Sequence, residues 1–348
     1  MDVMNKSKSY FLVYIIIILI AMVFAFEFVI LPWHFKLPRD MALMGFSGKP
    51  NAIIDDTSLN SMGFTGDVIH HKKNPEKVRI LTLGGSAMFN RRMTERLNKS
   101  LNEISSRPVE ILGAALRTHT SMSSLIKYRL LSRYKFDYVL IYHGINDLFV
   151  NNVYIDHFRS DYSHMLPWYR RNFLLNNSLI ARVIYNNFIW GRRIFGMEKI
   201  WYIYPQVSYI ENAMDFVSEK LFRRNISMLI KEIKQDGAVP ILMTFAWNIP
   251  SHYNQTSFEL GTVGYNPTNY GRYPVELWGS VKFVREGLQK HNTIIREISK
   301  QYNVLLIDIE NLMGNHLRWF EDVCHFSEEG TDKFIQNTTN FFLENNLH

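Results

Sequence analysis

Residues 78–89 read VRILTLGGSAMF, and this stretch decides the fold. A short apolar run ends on Gly84-Gly85, the pattern of a buried strand closed by a sharp turn. Ser86 follows at once, where glycine allows close backbone approach and a side chain can project from the strand end. Taken alone, Gly-Gly-Ser also suits an ordinary strand-to-helix turn.

The same rhythm recurs downstream. Further strands are expected at 109–112, 137–142, 239–244 and 304–309, each a short apolar or β-branched run. Helix-compatible segments separate them at 91–106, 121–135, 213–235 and 276–301. The third of these places Phe216, Leu221, Ile226, Leu229 and Ile233 on one broad apolar face. Ser327 can cap a last helix running to about Phe342. This alternation implies an α/β three-layer sandwich around a central parallel five-stranded sheet, with right-handed crossovers. Two aromatic-rich intervals, 148–212 and 246–275, break the rhythm and are expected to be inserted, partly helical segments over the strand ends.

Upstream, residues 10–33 read YFLVYIIIILIAMVFAFEFVILPW, long enough to cross a bilayer. Tyr10 and Trp33 stand at its ends, as interfacial aromatics do, and Glu27 falls near one end, where its charge can reach headgroups. Lys6 and Lys8 precede the span, which favours a cytoplasmic tail (1–9), a single-pass signal-anchor (10–33) and an extracytoplasmic remainder. A cleaved signal peptide ending near Ala25 is the competing reading, opposed by the apolar run continuing past that point. Residues 34–77 carry scattered turn residues and read as a juxtamembrane stalk, leaving 78–348 as the enzyme-sized domain.

Net charge is +7, but Lys and Arg are scattered, which argues against nucleic acid as a partner. Cys324 is the single cysteine, so neither an intrachain disulfide nor a cysteine-based metal site is expected.

In an open α/β sheet the site lies beyond the carboxyl ends of the strands. Three motifs fall there. The first is Gly84-Gly85-Ser86. The second is 112–116 (LGAAL), whose backbone N–H groups could face a developing oxyanion. The third is 142–147 (YHGIND): Gly144 permits close approach, the Asn146 amide can donate, and Asp147 can orient the loop by accepting N–H bonds. His143 reads as structural. A fourth motif, 320–325 (FEDVCH), precedes the last helix. Serine is a weak nucleophile without a base, and that base needs an orienting partner; His325 and Asp322, three residues apart, can supply both. Cys324 lies between them with no separate base–orienter pair, which leaves Ser86 as the nucleophile.

Together the four ordered blocks resemble the SGNH (GDSL-like) hydrolase superfamily over about 270 residues. Gly84-Gly85-Ser86 looks like its Gly-Gly-Ser branch; Gly144, Asn146 and Asp147 match its Gly-x-Asn-Asp block, and Asp322 and His325 its Asp-x-x-His block. The resemblance implies Ser86, His325 and Asp322 as a triad, with Ser86 N–H, Ala115 N–H and the Asn146 side chain as oxyanion donors. Gly85, Gly144 and Asp147 would support the site. Ala115 stands where the family usually has glycine. No cofactor or metal is implied. The expected substrate is an acyl ester, such as an O-acetyl ester, of a cell-surface glycan or lipid. An O-acyltransferase with the same triad, and a non-catalytic polysaccharide-binding protein on this scaffold, are the alternatives.

Overall fold

A computed structural model describes residues 2–31, 48, 50–153, 158–162, 164, 178–181, 183, 184, 187, 216–266 and 272–347. The chain divides into two compact units: residues 1–45 with 170–199, and 46–169 with 200–348.

In the second unit the apolar runs become strands. β1 (Ile53–Ile54) and β2 (Thr57–Ser58) form a small antiparallel pair. The main sheet contains β3 (Thr65–Gly66), β4 (Val78–Gly84), β5 (Val109–Gly113), β6 (Tyr138–Tyr142), β7 (Val239–Met243) and β8 (Leu305–Ile307). Their order is β3-β5-β4-β6-β7-β8. The last five are mutually parallel, as the sequence rhythm implies; β3 adds an antiparallel edge from the segment read as stalk.

All seven residues of β4 are buried, because it lies between β5 and β6 with helices on both faces. One of them is Arg79, opposite Glu110 on β5; its Nε donates to Glu110 Oε1 at 2.5 Å and its guanidinium also reaches the carbonyls of His70 and Tyr134. A charge in a central strand is tolerable only when it is saturated in this way.

The helices seal the faces. Ser218–Gln235 buries Phe222, Ile226, Leu229, Ile230 and Ile233, so its core face is rotated from the expected one and Leu221 is only partly covered. Ser121–Leu131 starts with a capping box between Thr120 and Ser123. Ser327 caps Glu328–Glu344 as expected, its Oγ accepting from Gly330 N at 3.1 Å. Of the aromatic residues expected to fill 148–212, only Phe158 and Tyr162 and, at its edge, Phe149 fall within the described residues; Tyr162 is buried.

The first unit is led by an apolar helix. Tyr10–Ile30 has mean hydropathy 2.9 and is long enough to cross a membrane. Its last turn is a π-helix, Phe26–Ile30. Glu27 there is buried and does not face outward as expected. Its carboxylate accepts from Ser178 Oγ at 3.0 Å, Leu179 N at 2.7 Å and Ile180 N at 3.0 Å. A carboxylate on an apolar helix needs such donors, and the free N–H groups at a helix start supply them.

Candidate active site

Ser86 is the first residue of a short helix, Ser86–Phe89, that begins directly after β4. That placement leaves its backbone N–H without an intrahelical acceptor. The turn requires glycine at position 85: a Cβ there would stand 2.5 Å from Asn146 Nδ2. Gly144 is likewise dictated by contact, since a Cβ would stand 2.5 Å from the Phe245 ring. Both glycines let backbone pack where the side chains of other motifs converge.

His325 comes from the loop before the last helix. Its Nε2 lies 2.8 Å from Ser86 Oγ and its Nδ1 lies 2.8 Å from Asp322 Oδ2. With Nδ1–H donating to Asp322, Nε2 is left to accept the Ser86 proton. Asp322 is fully buried and accepts three further bonds, from the N–H groups of Cys324 (2.9 Å), His325 (2.9 Å) and Tyr273 (3.1 Å). Burial pushes its pKa up; the charge and hydrogen bond of His325 and the two backbone donors of its own loop outweigh that, so the carboxyl sits below its usual value. Ser86 is half-buried and His325 is 5% exposed, so the pair is reachable from one side while Asp322 is not.

Asn146 lies in the first turn of Ile145–Phe149 after β6. Its Nδ2 donates to His119 O at 3.0 Å, which uses one amide hydrogen and leaves the second to a ligand. Asp147 is buried and accepts from Ser121 N (3.0 Å) and Ser121 Oγ (2.5 Å), locking the 144–147 turn to the start of the Ser121–Leu131 helix. Burial lifts its pKa to about 7 against those bonds. His143 is structural, as the sequence suggested: its Nε2 pairs with Ser124 Oγ at 2.7 Å, and burial, with the charge of Lys127, lowers its pKa to about 3.

Ala115 is placed less favourably than the resemblance implies. Ala114 N and Leu116 N donate to Thr82 O and Gly84 O, extending the ladder towards β4. In extended backbone alternate N–H groups point to opposite sides, which turns Ala115 N–H away from β4 and the serine that follows it. The part of this loop that touches the site is its far end. His119 O holds Asn146 and would lie 3.3 Å from a Cβ on Gly85. Next to it, Thr118 is exposed and adopts a left-handed backbone with φ 64°, unusual for a β-branched residue.

Cys324 is buried, with Sγ 3.7 Å from His325 Nδ1, closer to that ring than expected. Burial first, and then the Asp322 charge, raises its thiol pKa, which keeps it a thiol. By distance Asp322, Cys324 and His325 could together hold a metal ion. Asp322 and His325 are instead committed to each other and to Ser86.

Two arginines and a lysine near the site carried no motif. Arg91, in left-handed backbone (φ 59°), donates Nε to Phe326 O at 2.8 Å and pairs with Glu321 and Glu328. It thereby ties the loop after Ser86 to the loop of His325. Arg96 extends that network to Glu328 and Asp332. Lys127 is fully buried behind the 114–119 loop. Only its position among Ser124, Tyr128 and Leu131, on a face that must be covered, marked it in the sequence.

A parallel α/β sheet with a serine–histidine–aspartate chain at its carboxyl edge is thus the class that fold and site define. Among solved structures, this chain is similar to a lipase/acylhydrolase from Enterococcus faecalis, with 13% identity, 76% of this chain and 95% of that chain covered, and a TM-score of 0.40. It is also similar to a GDSL-like lipase from Bacteroides thetaiotaomicron (11% identity, 79% and 92% covered, TM-score 0.43). A third is an acetylxylan esterase from Geobacillus stearothermophilus (12% identity, 78% and 96% covered, TM-score 0.43). No protein-family model and no curated protein matches the chain.

Proposed function

We propose that the chain is a serine esterase of the SGNH type, acting on acyl esters of a cell-surface glycan or lipid. The observation that carries this is the unbroken hydrogen-bond chain Ser86 Oγ–His325 Nε2, His325 Nδ1–Asp322 Oδ2, both links 2.8 Å. Ser86 Oγ attacks the ester carbonyl as His325 Nε2 takes its proton. The carbonyl oxygen becomes an oxyanion, held by Ser86 N–H, the free Asn146 amide hydrogen and a third N–H from the 114–119 loop. We assign that third donor to Thr118 in place of Ala115, because its end of the loop abuts Gly85 and Asn146. Collapse breaks the ester C–O bond, and His325 returns the proton to the departing alcohol. Water then loses a proton to His325 and attacks the acyl-serine; the bond between the acyl carbon and Ser86 Oγ breaks, His325 returns the proton to Ser86 Oγ, and the carboxylic acid leaves.

If a sugar hydroxyl replaces water in the second half, the reaction becomes O-acyl transfer. The half-exposed Tyr273 ring, 5.8 Å from His325, gives a sugar a face to stack on where the acceptor must be deprotonated. Lys6 and Lys8 before the Tyr10–Ile30 helix support an N-in orientation, with the catalytic unit outside the cytoplasm.

The test is turnover of p-nitrophenyl acetate and labelling by a fluorophosphonate probe. Ser86→Ala is expected to abolish labelling and lower kcat by at least about a thousandfold. Equal rates in the two proteins would remove Ser86 from the mechanism.

A further inference from the structure

Lys127 is the least expected residue near the site. It lies on the helix Ser121–Leu131 and is 0% exposed. Among the described residues no carboxylate stands within ion-pair distance of it. Its Nζ donates to Ala114 O and lies 2.7 Å from His119 Nδ1. With Nζ as donor, His119 Nδ1 accepts and the ring carries its proton on Nε2. Burial lowers the amine well below the lysine range, and lowers His119 below its ordinary value too.

Burying an amine without a counter-charge costs stability, and Leu or Met would fill the volume without that cost. What an apolar residue could not do is bridge the loop. Ala114 and His119 stand at the two ends of the turn between β5 and the helix, and Thr118 lies within it in left-handed backbone. Left-handed backbone is unfavourable for a β-branched residue, so the surroundings must hold it there. The same turn presents His119 O to Asn146 Nδ2 at 3.0 Å. One amine therefore touches both ends of the turn that carries Thr118 and presents His119 O to Asn146.

We propose that Lys127 is a positioning residue: by bridging Ala114 O and His119 it fixes the 114–119 loop so that Thr118 N–H and the Asn146 amide meet the oxyanion. The proposal rests on the esterase reading above. It acts on the transition state, because the oxyanion exists only there; substrate binding before attack does not depend on it.

The experiment uses the full-length chain in detergent, with p-nitrophenyl acetate as substrate. Lys127→Met keeps length and removes the donor. It is expected to fold, by circular dichroism, with kcat lowered at least about tenfold and KM changed less than about threefold. Adding Thr118→Gly removes the left-handed cost, so the double variant Lys127→Met/Thr118→Gly is expected to regain at least about threefold in kcat. A merely structural lysine predicts no such recovery. A folded Lys127→Met whose kcat stays within about twofold of wild type overturns the proposal, as does a loss confined to KM or the absence of rescue. Should Lys127→Met not fold, His119→Leu decides in its place: a kcat-selective loss supports the bridge, and unchanged kcat overturns it. Equal rates for wild type and Ser86→Ala would instead overturn the esterase reading itself, which separates the two failures.

Discussion

Asp322 shows how much a single carboxylate is asked to do. Its Oδ1 accepts from Cys324 N and His325 N, and its Oδ2 from His325 Nδ1 and Tyr273 N. An asparagine in its place can keep only one of these oxygens. If the oxygen stays with the two backbone donors, the amide NH2 faces His325 Nδ1 and forces the ring proton onto Nε2. The histidine then cannot accept from Ser86. Asp322→Asn is therefore expected to lower kcat on the order of a thousandfold or more, by the tautomer argument, while far-UV circular dichroism stays that of the wild type. At position 85 the constraint is steric. Gly85→Ala puts a methyl 2.5 Å from Asn146 Nδ2, and that amide must leave its place beside the serine. The expected loss is about a hundredfold in kcat, the scale of one oxyanion donor, measured by steady-state turnover.

The elements were legible in the sequence to different degrees, for physical reasons. Buried parallel strands are continuous apolar runs, and all five were readable as such. β3 was not, because two residues leave no period to detect and its pairing with β5 is a tertiary event. Ser86, Asn146, Asp322 and His325 were legible because each belongs to a motif at a strand or helix boundary. Arg91 and Lys127 were not, because neither belongs to a motif: Arg91 reaches Phe326 O across most of the chain, and Lys127 meets Ala114 O and His119 only once the intervening turn has folded. The third oxyanion donor was the least legible, since a sequence register cannot show which way an N–H points, and for that reason we propose Thr118 in place of Ala115. Arg91 is the connection between elements that this register hides. Its Arg91→Met variant leaves Glu321, 2% exposed at the side chain, without the guanidinium that pairs with it. The expected cost is about 3–5 kcal/mol, read by urea denaturation. Replacing both partners, Arg91→Met with Glu321→Leu, is expected to recover most of that stability. Activity is expected to recover less, because the loop after Ser86 and the loop of His325 lose their common tie at Phe326 O.

At the scale of the whole molecule, buried titratable groups decide the response to acid. Burial lowers His143 to about 3 and His291 to about 4, and puts His119 well below its ordinary value. The unfolded chain protonates these rings as pH falls through about 6.5, whereas the folded chain keeps them neutral until well below that. In that window the unfolded state binds more protons, so each histidine removes about 1.4 kcal/mol per pH unit of acidification. The stability they contribute is complete above about pH 6.5 and is lost as pH falls through the folded values. Asp147 has the opposite sign. Burial raises it to about 7, so the folded state holds a proton that the unfolded state gives up, and stability grows as pH falls from about 7 to about 4. Glu95, raised by burial, adds to that trend. Three histidines against two carboxyls leave a net loss of stability between about pH 6.5 and 4, which Asp147 and Glu95 slow without cancelling. Below about pH 4 nothing opposes His143, and Asp322, held ionised in the fold, begins to add to the loss. The melting temperature is expected to hold between about pH 7 and 6.5 and to fall progressively below about 6.5. Asp147→Asn removes a partial offset, so its melting temperature should fall more steeply than that of the wild type below about pH 6.5; His143→Gln should make the fall shallower. Calorimetric scans of the three proteins across this range decide it, and identical profiles for wild type and Asp147→Asn would show that Asp147 is not the buried proton store its surroundings imply.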